Sequence, residues 1–498
     1  MKLPENFENY FRERWESATL ECLLRGLDEE PSVSIRLNPA RLPADMLPEG
    51  ADGRVPWCPE GVYLSDRPAF TADPLLHAGA YYVQEASSMF LAHVLRSLHG
   101  ELMPLLGAVG PASPAALDLC AAPGGKSTLL RALLPDECLL VANEPVRSRV
   151  QVLAENLAKW GHPNVLVTQA HARDFARFTT QHPAFGEGFG LVMADVPCSG
   201  EGMFRKEEEA LRQWSPAFVA ECAALQRSII ADVWPALRPG GTLIYSTCTF
   251  NPEEDEENVE WICRELGADL IALPVDPAWG VMGDLRKGQK GMDSLQAGSS
   301  SGLMHSPHAR PPKEGEVAIA GNSRSSSVID SAASRAGRAE GEAVAAVEKS
   351  VFNHFLPGRV RGEGFFLAVV RKRREVEDAG SPEEAPCRER RPKRSRRGGG
   401  PSTLREALAA ELPVPSVEPL DAPGVPSAEL TLDEAIRYLR REALVLPPDV
   451  PKGIVSVCFR GQRLGLVKNL GTRANNLYPR EWRIRSTFVN PHTLFPSL

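Results

Sequence analysis

From residue 116 to about 270 the chain alternates short apolar runs with amphipathic stretches. "AALDLC" precedes "KSTLLRALL", "LLVANE" precedes "VRSRVQVLAENLAKWG", "GLVMADV" follows, and the helix-period segment "LQRSIIADVWPAL" leads into "GTLIYSTC". Buried strand followed by helix, repeated, predicts a parallel sheet with crossover helices. Before it, residues 1–110 mix short amphipathic pieces with proline-rich loops, and "YYVQEASSMFLAHVLRSL" has helical apolar spacing, so a small N-terminal module is expected there. After it, residues 280–350 are rich in Gly, Ser, Ala and charge without an apolar period, which predicts a disordered insertion within a core of 111–374. "HFLPGRVRGEGFFLAVVRK" restores the pattern as a closing strand pair. A basic linker, 375–402, ends in "RERRPKRSRRGGG". Residues 403–498 then hold one helix, "LDEAIRYLRREAL", and Gly-punctuated β runs that suggest a compact barrel.

Composition narrows the classes. With 498 residues, 43% hydrophobic and 24% charged, the chain reads as a soluble globular protein of several domains. Its apolar runs fall short of a membrane span and "MKLPENFENY" lacks a signal-peptide layout, so a cytoplasmic location without membrane contact is expected. Ten cysteines, with no CxxC pair or Cys/His cluster, predict reduced thiols and no metal site. The net charge of −8 argues against a generally cationic nucleic-acid binder, yet residues 451–486 hold eight Lys or Arg against one acid, Glu481. A local basic surface is therefore predicted.

The first chemical motif is "LDLCAAPGGKSTLL", a strand-to-helix loop in which Gly124 and Gly125 permit tight turning and close backbone approach to a ligand. A Walker loop would need Gly at position 120, where Cys120 stands. Glu144 closes the next strand about twenty residues on, where doubly wound folds place a carboxylate against ribose hydroxyls. A dinucleotide and S-adenosylmethionine both suit that pair of features; the absent third glycine of GxGxxG favours the latter. The next strand ends carry Asp195 with Cys198 and Thr247 with Cys248, all of which should face the crevice that Glu144 faces. Thiolate adds readily to an electron-poor ring carbon when a neighbouring acid protonates the ring, and methylation of a pyrimidine at carbon 5 needs that step. A second group must then help remove the carbon-5 proton and expel the thiol. Either cysteine could attack on these grounds alone. For Cys22, Cys138, Cys222, Cys263 and Cys458 the expectation is a small buried hydrophobe.

"LDLCAAPGGKS", "DVPCSGEGMFRK", "LRPGGTLIYSTCTFNPEEDEENV" and "GEGFFLAVVRK", in that order, resemble the Nol/Nop/Sun (RsmB/RsmF-like) family of RNA 5-methylcytosine methyltransferases over about residues 30–374 apart from the insertion. The resemblance implies an α/β, Rossmann-like class I S-adenosylmethionine-dependent core. It implies that Cys248 attacks cytosine, that Cys198 assists release, and that Asp195 hydrogen-bonds cytosine nitrogen 3 close to the cofactor. Cys120, Ala121, Ala122, Pro123, Gly124, Gly125 and Lys126 would wrap the methionine part, Glu144 would take the ribose, and Lys126 would help anchor the site. Relatives often place Asp or Asn near the adenine where this chain has His171, with Asp174 three residues later, which leaves the adenine contact open. The acidic run Glu253–Glu257 is expected to cap the following helix.

The C-terminal segment resembles a PUA-like RNA-binding domain. A target base must leave its stack for this chemistry, so structured RNA is the expected partner, with small-subunit (16S) ribosomal RNA favoured by the resemblance and transfer RNA not excluded by the residues. Arg205 and Lys206 could contact phosphates. A DNA cytosine methyltransferase is disfavoured by the Thr-Cys cysteine, and a catalytically silent assembly factor by the intact Cys198, Cys248, Asp195 and glycine loop. A monomer is the default expectation.

Overall fold

The computed structural model describes residues 1–43, 45–106, 115–182, 188–288, 348–374, 403–415, 420, 424–485, 492–496 and 498. The expected linker 375–402 and most of the expected insertion, 289–347, lie outside them. The insertion's ends are packed rather than loose: Leu285 is buried and Met282 exchanges backbone hydrogen bonds with His354.

Two helices, Phe7–Arg14 and Ser17–Leu27, open the chain. Four strands follow, β1 (Val33–Leu37), β2 (Ala51–Val55), β3 (Cys58–Leu64) and β4 (Tyr81–Val83), in the order β2-β3-β1-β4. The helix expected from Tyr81 begins only at Phe90, because aromatic and β-branched Tyr81, Tyr82 and Val83 pair with the edge of β1 instead.

The central sheet contains β5 (Ala115–Asp118), β6 (Leu139–Asn143), β7 (Val165–Thr168), β8 (Phe189–Asp195), β9 (Leu237–Thr247), β10 (Ala268–Ile271), β13 (Phe352–Phe355) and β14 (Phe365–Lys372). Strands β9-β8-β5-β6-β7 are parallel. Strand β14 runs antiparallel beside β9, and its other edge pairs β10 along one half and β13 along the other. The remaining strands of this region, β11 (Leu273–Val275) and β12 (Glu348–Ser350), form a separate pair. Continuous apolar strands are what a sheet covered on both faces requires. Period-two alternation sends Leu117, Val141, Val192 and Leu243 into one core and Ala116, Leu140, Leu191 and Ile244 into the other. The chain runs outward from β5 through β6 to β7, then returns to β8 on the opposite side of β5. The order thus reverses between β5 and β8, the position at which doubly wound sheets open a ligand crevice beyond the strand C-termini.

The C-terminal strands β15 (Ser427–Glu429), β16 (Gly453–Phe459), β17 (Gln462–Asn469) and β18 (Ala474–Asn476) form an open four-stranded sheet rather than the expected barrel. Closure is unnecessary because its apolar face is already covered. The helix Leu432–Leu439 supplies Tyr438 and Leu439, while Ile35, Leu37, Val62 and Leu64 of the N-terminal sheet join the same core, with Phe495 from the tail. Helix Leu404–Glu411 packs elsewhere, placing Leu404 and Leu408 in the central-sheet core.

Two glycines set how closely the site loops approach. A Cβ on Gly202 would lie 2.2 Å from the Gly364 carbonyl oxygen, and one on Gly364 would lie 2.6 Å from Gly202 Cα, so backbone meets backbone with no room for a methyl group. The Gly202 N–H also donates to the Cys248 carbonyl at 2.8 Å. Gly364→Ala is expected to cost at least about 1 kcal/mol of stability, the lower end for overpacking a fixed contact, read as a lowered denaturant midpoint.

Candidate active site

The loop after β5 carries Cys120 to Lys126. Gly124 adopts φ +117°, a conformation that L side chains resist, and from it the helix Gly125–Leu133 starts without a side-chain cap, so its first amides face the crevice. Lys126 reaches from this helix to Asp195 at the end of β8, Nζ to Oδ2 2.9 Å, and Ser246 Oγ donates to Asp195 Oδ1 at 2.6 Å. Asp195 is thereby held from two sides while remaining about one-third exposed. Burial lowers the Lys126 pKa, but attraction and hydrogen bonding from Asp195 more than offset that and leave it raised, so the ammonium form is secure.

Cys198 and Cys248 converge as expected. Their sulfurs lie 3.1 Å apart and the Cys248 amide is 3.4 Å from Cys198 Sγ. The hydrogen bond with Cys248, then burial, pushes the Cys198 thiol well up. Both cysteines, with Cys120, Ala122, Arg149 and Asp195, line a cleft of about 300 Å³. A larger cleft, about 510 Å³, opens near Met1, Glu29 and Arg212, where none of the expected catalytic groups lies.

Glu144 is almost fully buried. Its Oε1 accepts from the Val146 amide at 3.0 Å, whereas Oε2, although 3.3 Å from the Arg149 guanidinium, accepts no hydrogen bond. A buried carboxylate oxygen left without a donor fits a ligand hydroxyl. With the uncapped helix start and the glycine turn, it matches what a nucleoside sulfonium would need on this side of the crevice. His171 is exposed and begins helix Ala172–Gln181, with Asp174 Oδ2 accepting from the His171 amide at 3.0 Å; the Asp174 carboxylate thus serves its own helix.

One expectation is corrected and another is extended. Arg205 is not free for phosphate: its side chain is 5% exposed, donating to Glu363 at 2.7 Å and to the carbonyls of Gly26 and Gly362. Lys206 shares the same carboxylate at 3.1 Å. The acidic run Glu253–Glu257 does more than cap its helix. Glu256 and Glu257 do fall in the first turn, but Glu254, Asp255 and Glu256 are fully buried. Glu254 accepts from the Ser199 amide at 3.1 Å and from Gln226 at 2.6 Å, and Asn251 bridges it to Glu201 at 2.8 and 3.0 Å. Burial, then Glu254, pushes Glu201 up to about 8. Gln226 also donates to the Pro197 carbonyl at 2.9 Å, so this network holds both ends of the Pro-Cys turn. Sequence reading missed Glu201, Gln226, Asn251 and Glu254. The available signal was the tight spacing of Asn251 and Glu254 directly after a strand end, where a buried donor–acceptor pair competes with a cap.

Asp118 ends β5 fully buried, accepting from Ser127 Oγ at 2.6 Å with Oδ1 unpartnered. Burial pushes its carboxyl up to about 7. A raised acid pKa means the folded state binds the extra proton, so this group's contribution to stability falls as pH rises from about 4 to about 7 and is flat above. Asp118→Asn should therefore gain stability relative to wild type as pH rises through that window, the difference disappearing near pH 4. Paired urea melts across the range check it; a constant difference would refute it.

Comparison with known proteins covers most of the chain. The family described as "16S rRNA methyltransferase RsmB/F" matches residues 111–277, "N-terminal domain of 16S rRNA methyltransferase RsmF" residues 3–86, and "Methyltransferase RsmF PUA domain" residues 425–484. The ribosomal RNA small subunit methyltransferase F of Erwinia tasmaniensis is 30% identical over 449 residues, 86% of this chain and 84% of that one. That of Cronobacter sakazakii is 37% identical over 273 residues, spanning 52% of this chain and about half, 53%, of the relative. A solved methyltransferase homologue from Pyrococcus horikoshii is 21% identical, covering 73% of this chain and 93% of that one with a TM-score of 0.46. Among the described residues no helix is long and apolar enough to cross a membrane.

Proposed function

The chain belongs to the RsmB/F family of 16S rRNA methyltransferases, S-adenosylmethionine-dependent enzymes, and from that premise we propose that it methylates carbon 5 of a cytosine in small-subunit ribosomal RNA, acting in the cytoplasm through a covalent thiol adduct. The observation that carries this reading is the 3.1 Å contact between Cys198 and Cys248 beside an Asp195 that Lys126 holds. Cys248 Sγ adds to cytosine carbon 6, the thiol proton passes to ring nitrogen 3 as electron density moves toward carbon 5, and the Asp195 carboxylate accepts a hydrogen bond from that nitrogen. S-adenosylmethionine, when bound along residues 120–126 with its ribose on Glu144, supplies the methyl group. Cys198, 3.1 Å from Cys248 Sγ, is placed to give its proton to the departing Cys248 sulfur and, as thiolate, to take the proton from carbon 5, after which ring nitrogen 3 releases its proton to solvent. Lys126 and Ser246 fix the Asp195 carboxylate, so that its orientation costs nothing further as the adduct forms.

The target base has to be unstacked to offer both faces to this cleft. We assign RNA capture to the C-terminal PUA domain, where Lys452, Arg463, Lys468, Arg473, Arg480 and Arg483 are exposed, and to the N-terminal module that shares its core. In division of labour, residues 1–110 and 403–498 would flank a catalytic unit of 111–374. Transfer RNA is the alternative substrate.

The test is transfer of labelled methyl to naked ribosomal RNA, isolated small subunits and transfer RNA. Wild type should yield 5-methylcytosine in ribosomal RNA; Cys248→Ala should lose at least about a thousandfold in rate and form no adduct, and Cys198→Ala should accumulate a covalent RNA complex that survives denaturing electrophoresis. Trapping by Cys248→Ala instead would reverse the two roles. Methylation of transfer RNA alone would reassign the substrate.

A further inference from the structure

Behind Cys248, on the face away from the cleft, lies a buried cluster that none of these steps uses. Thr247 and Thr249, the two neighbours of Cys248, both donate to Asp255 Oδ1, at 2.6 and 3.2 Å, and all three side chains are fully buried. One carboxylate oxygen therefore clamps the turn on which the cysteine stands. Asp255 is costly to keep ionised there: burial pushes its carboxyl well up, and Glu256, Glu254 and Glu201 add to the effect.

Facing this carboxylate stands His354, contributed by β13 and itself fully buried. Its Nε2 is 2.9 Å from Glu256 Oε1 and its Nδ1 is 4.0 Å from Asp255 Oδ2. For Glu256, burial alone would raise the pKa, but attraction and hydrogen bonding from His354 bring it below the usual value. One ligand-type atom from each of Asp255, Glu256 and His354 lies within 4.8 Å of the others, a spacing also compatible with a metal ion. In the structure the two carboxylates address opposite nitrogens of one ring, Glu256 at Nε2 and Asp255 at Nδ1, so the imidazole itself stands between them.

We propose that His354 is a positioning residue for Cys248: lying between Glu256 and Asp255, it supplies Asp255 with a counter-charge and so maintains the Asp255 clamp on Thr247 and Thr249. The inference rests on reading Cys248 as the attacking thiol. Removing the ring leaves two adjacent buried carboxylates uncompensated, and the simplest relief is movement of Asp255 away from the turn. The ligand-contacting residues 120–126, Glu144 and Asp195 lie on other loops, so the loss should fall on the reaction step rather than on binding.

The test is His354→Gln in the full chain. Its kcat should fall at least tenfold while KM for S-adenosylmethionine and for RNA stay within twofold, and alkylation of Cys248 by iodoacetamide in a Cys198→Ala background should change rate in parallel with kcat. Adding Asp255→Asn provides the decisive arm. An amide oxygen can accept from both threonine hydroxyls yet needs no counter-charge, so His354→Gln with Asp255→Asn should recover to within about threefold of wild type. If His354→Gln alone is too unstable to assay, recovery in the double variant still supports the counter-charge role. Wild-type kcat in His354→Gln, or a loss that Asp255→Asn does not relieve, overturns the inference. Cys248→Ala run alongside separates the two readings: activity in that variant overturns the nucleophile assignment, whereas a dead Cys248→Ala beside a fully active His354→Gln overturns only the role given to His354.

Discussion

The two cysteine sulfurs come from loops at the ends of β8 and β9, fifty positions apart, and their 3.1 Å separation is the tolerance that the surrounding structure has to meet. A parallel sheet supplies the coarse placement, because neighbouring strands deliver their C-termini to one edge. It does not supply sub-ångström placement, since loops past a strand end are free to drift. Here the drift is removed by buried hydrogen bonds. Glu254 and Gln226 hold the Pro-Cys turn, Asp255 holds the threonines beside Cys248, and the Gly202 amide ties one loop to the carbonyl of the other. Each uses a charged or polar group with no access to water, a costly arrangement that is stable only when nearly every donor and acceptor is matched.

The same economy shapes the wider fold. The antiparallel β14 seals β9 on the side away from β8, brings Gly364 against Gly202, and sets Phe365 5.1 Å from the Lys126 ammonium, so the last strand of the core buttresses the loop of the first. On the opposite side, buried Arg36 of the N-terminal sheet donates to Thr128 at 2.6 Å and to the Gly125 carbonyl at 3.3 Å, with Trp160 beneath its guanidinium. The cofactor-side helix is therefore gripped by a module outside the central sheet. That module in turn shares a hydrophobic core with the C-terminal strands. The surface assigned to RNA and the catalytic cleft are linked through packed side chains.

Much of this was legible in the sequence. Apolar runs spaced by helical segments gave the parallel sheet, since burial on both faces forces near-continuous hydrophobicity in β5, β6 and β8. The strand-end rule then brought Glu144, Asp195 and the two cysteines to one side, where the structure places them, whereas Thr247, expected in the same crevice, is fully buried and donates to Asp255 instead. Less legible were features whose signal is not local. Arg205 reads as an exposed cation, yet Glu363 lies 158 positions away in sequence and 2.7 Å away in space. The run Glu253–Glu257 reads as a cap because charge patterning reports only the helix that follows, not Asn251, Gln226, Thr247 and His354 packed against it. The β runs near the C-terminus suggested closure into a barrel because nothing in them records that Ile35 and Val62 cover their apolar face.

By itself, then, the sequence determined the period of each element, the glycine turn before Lys126 and the residue types at each strand end, because these depend on backbone sterics and on burial of side chains a few positions apart. Tertiary structure alone decided which acids are buried, which cation each one meets, and how closely the two thiols approach. Those outcomes depend on dielectric surroundings and on distances of 2.6–4.0 Å between segments up to 158 positions apart, and chain order carries no measure of either.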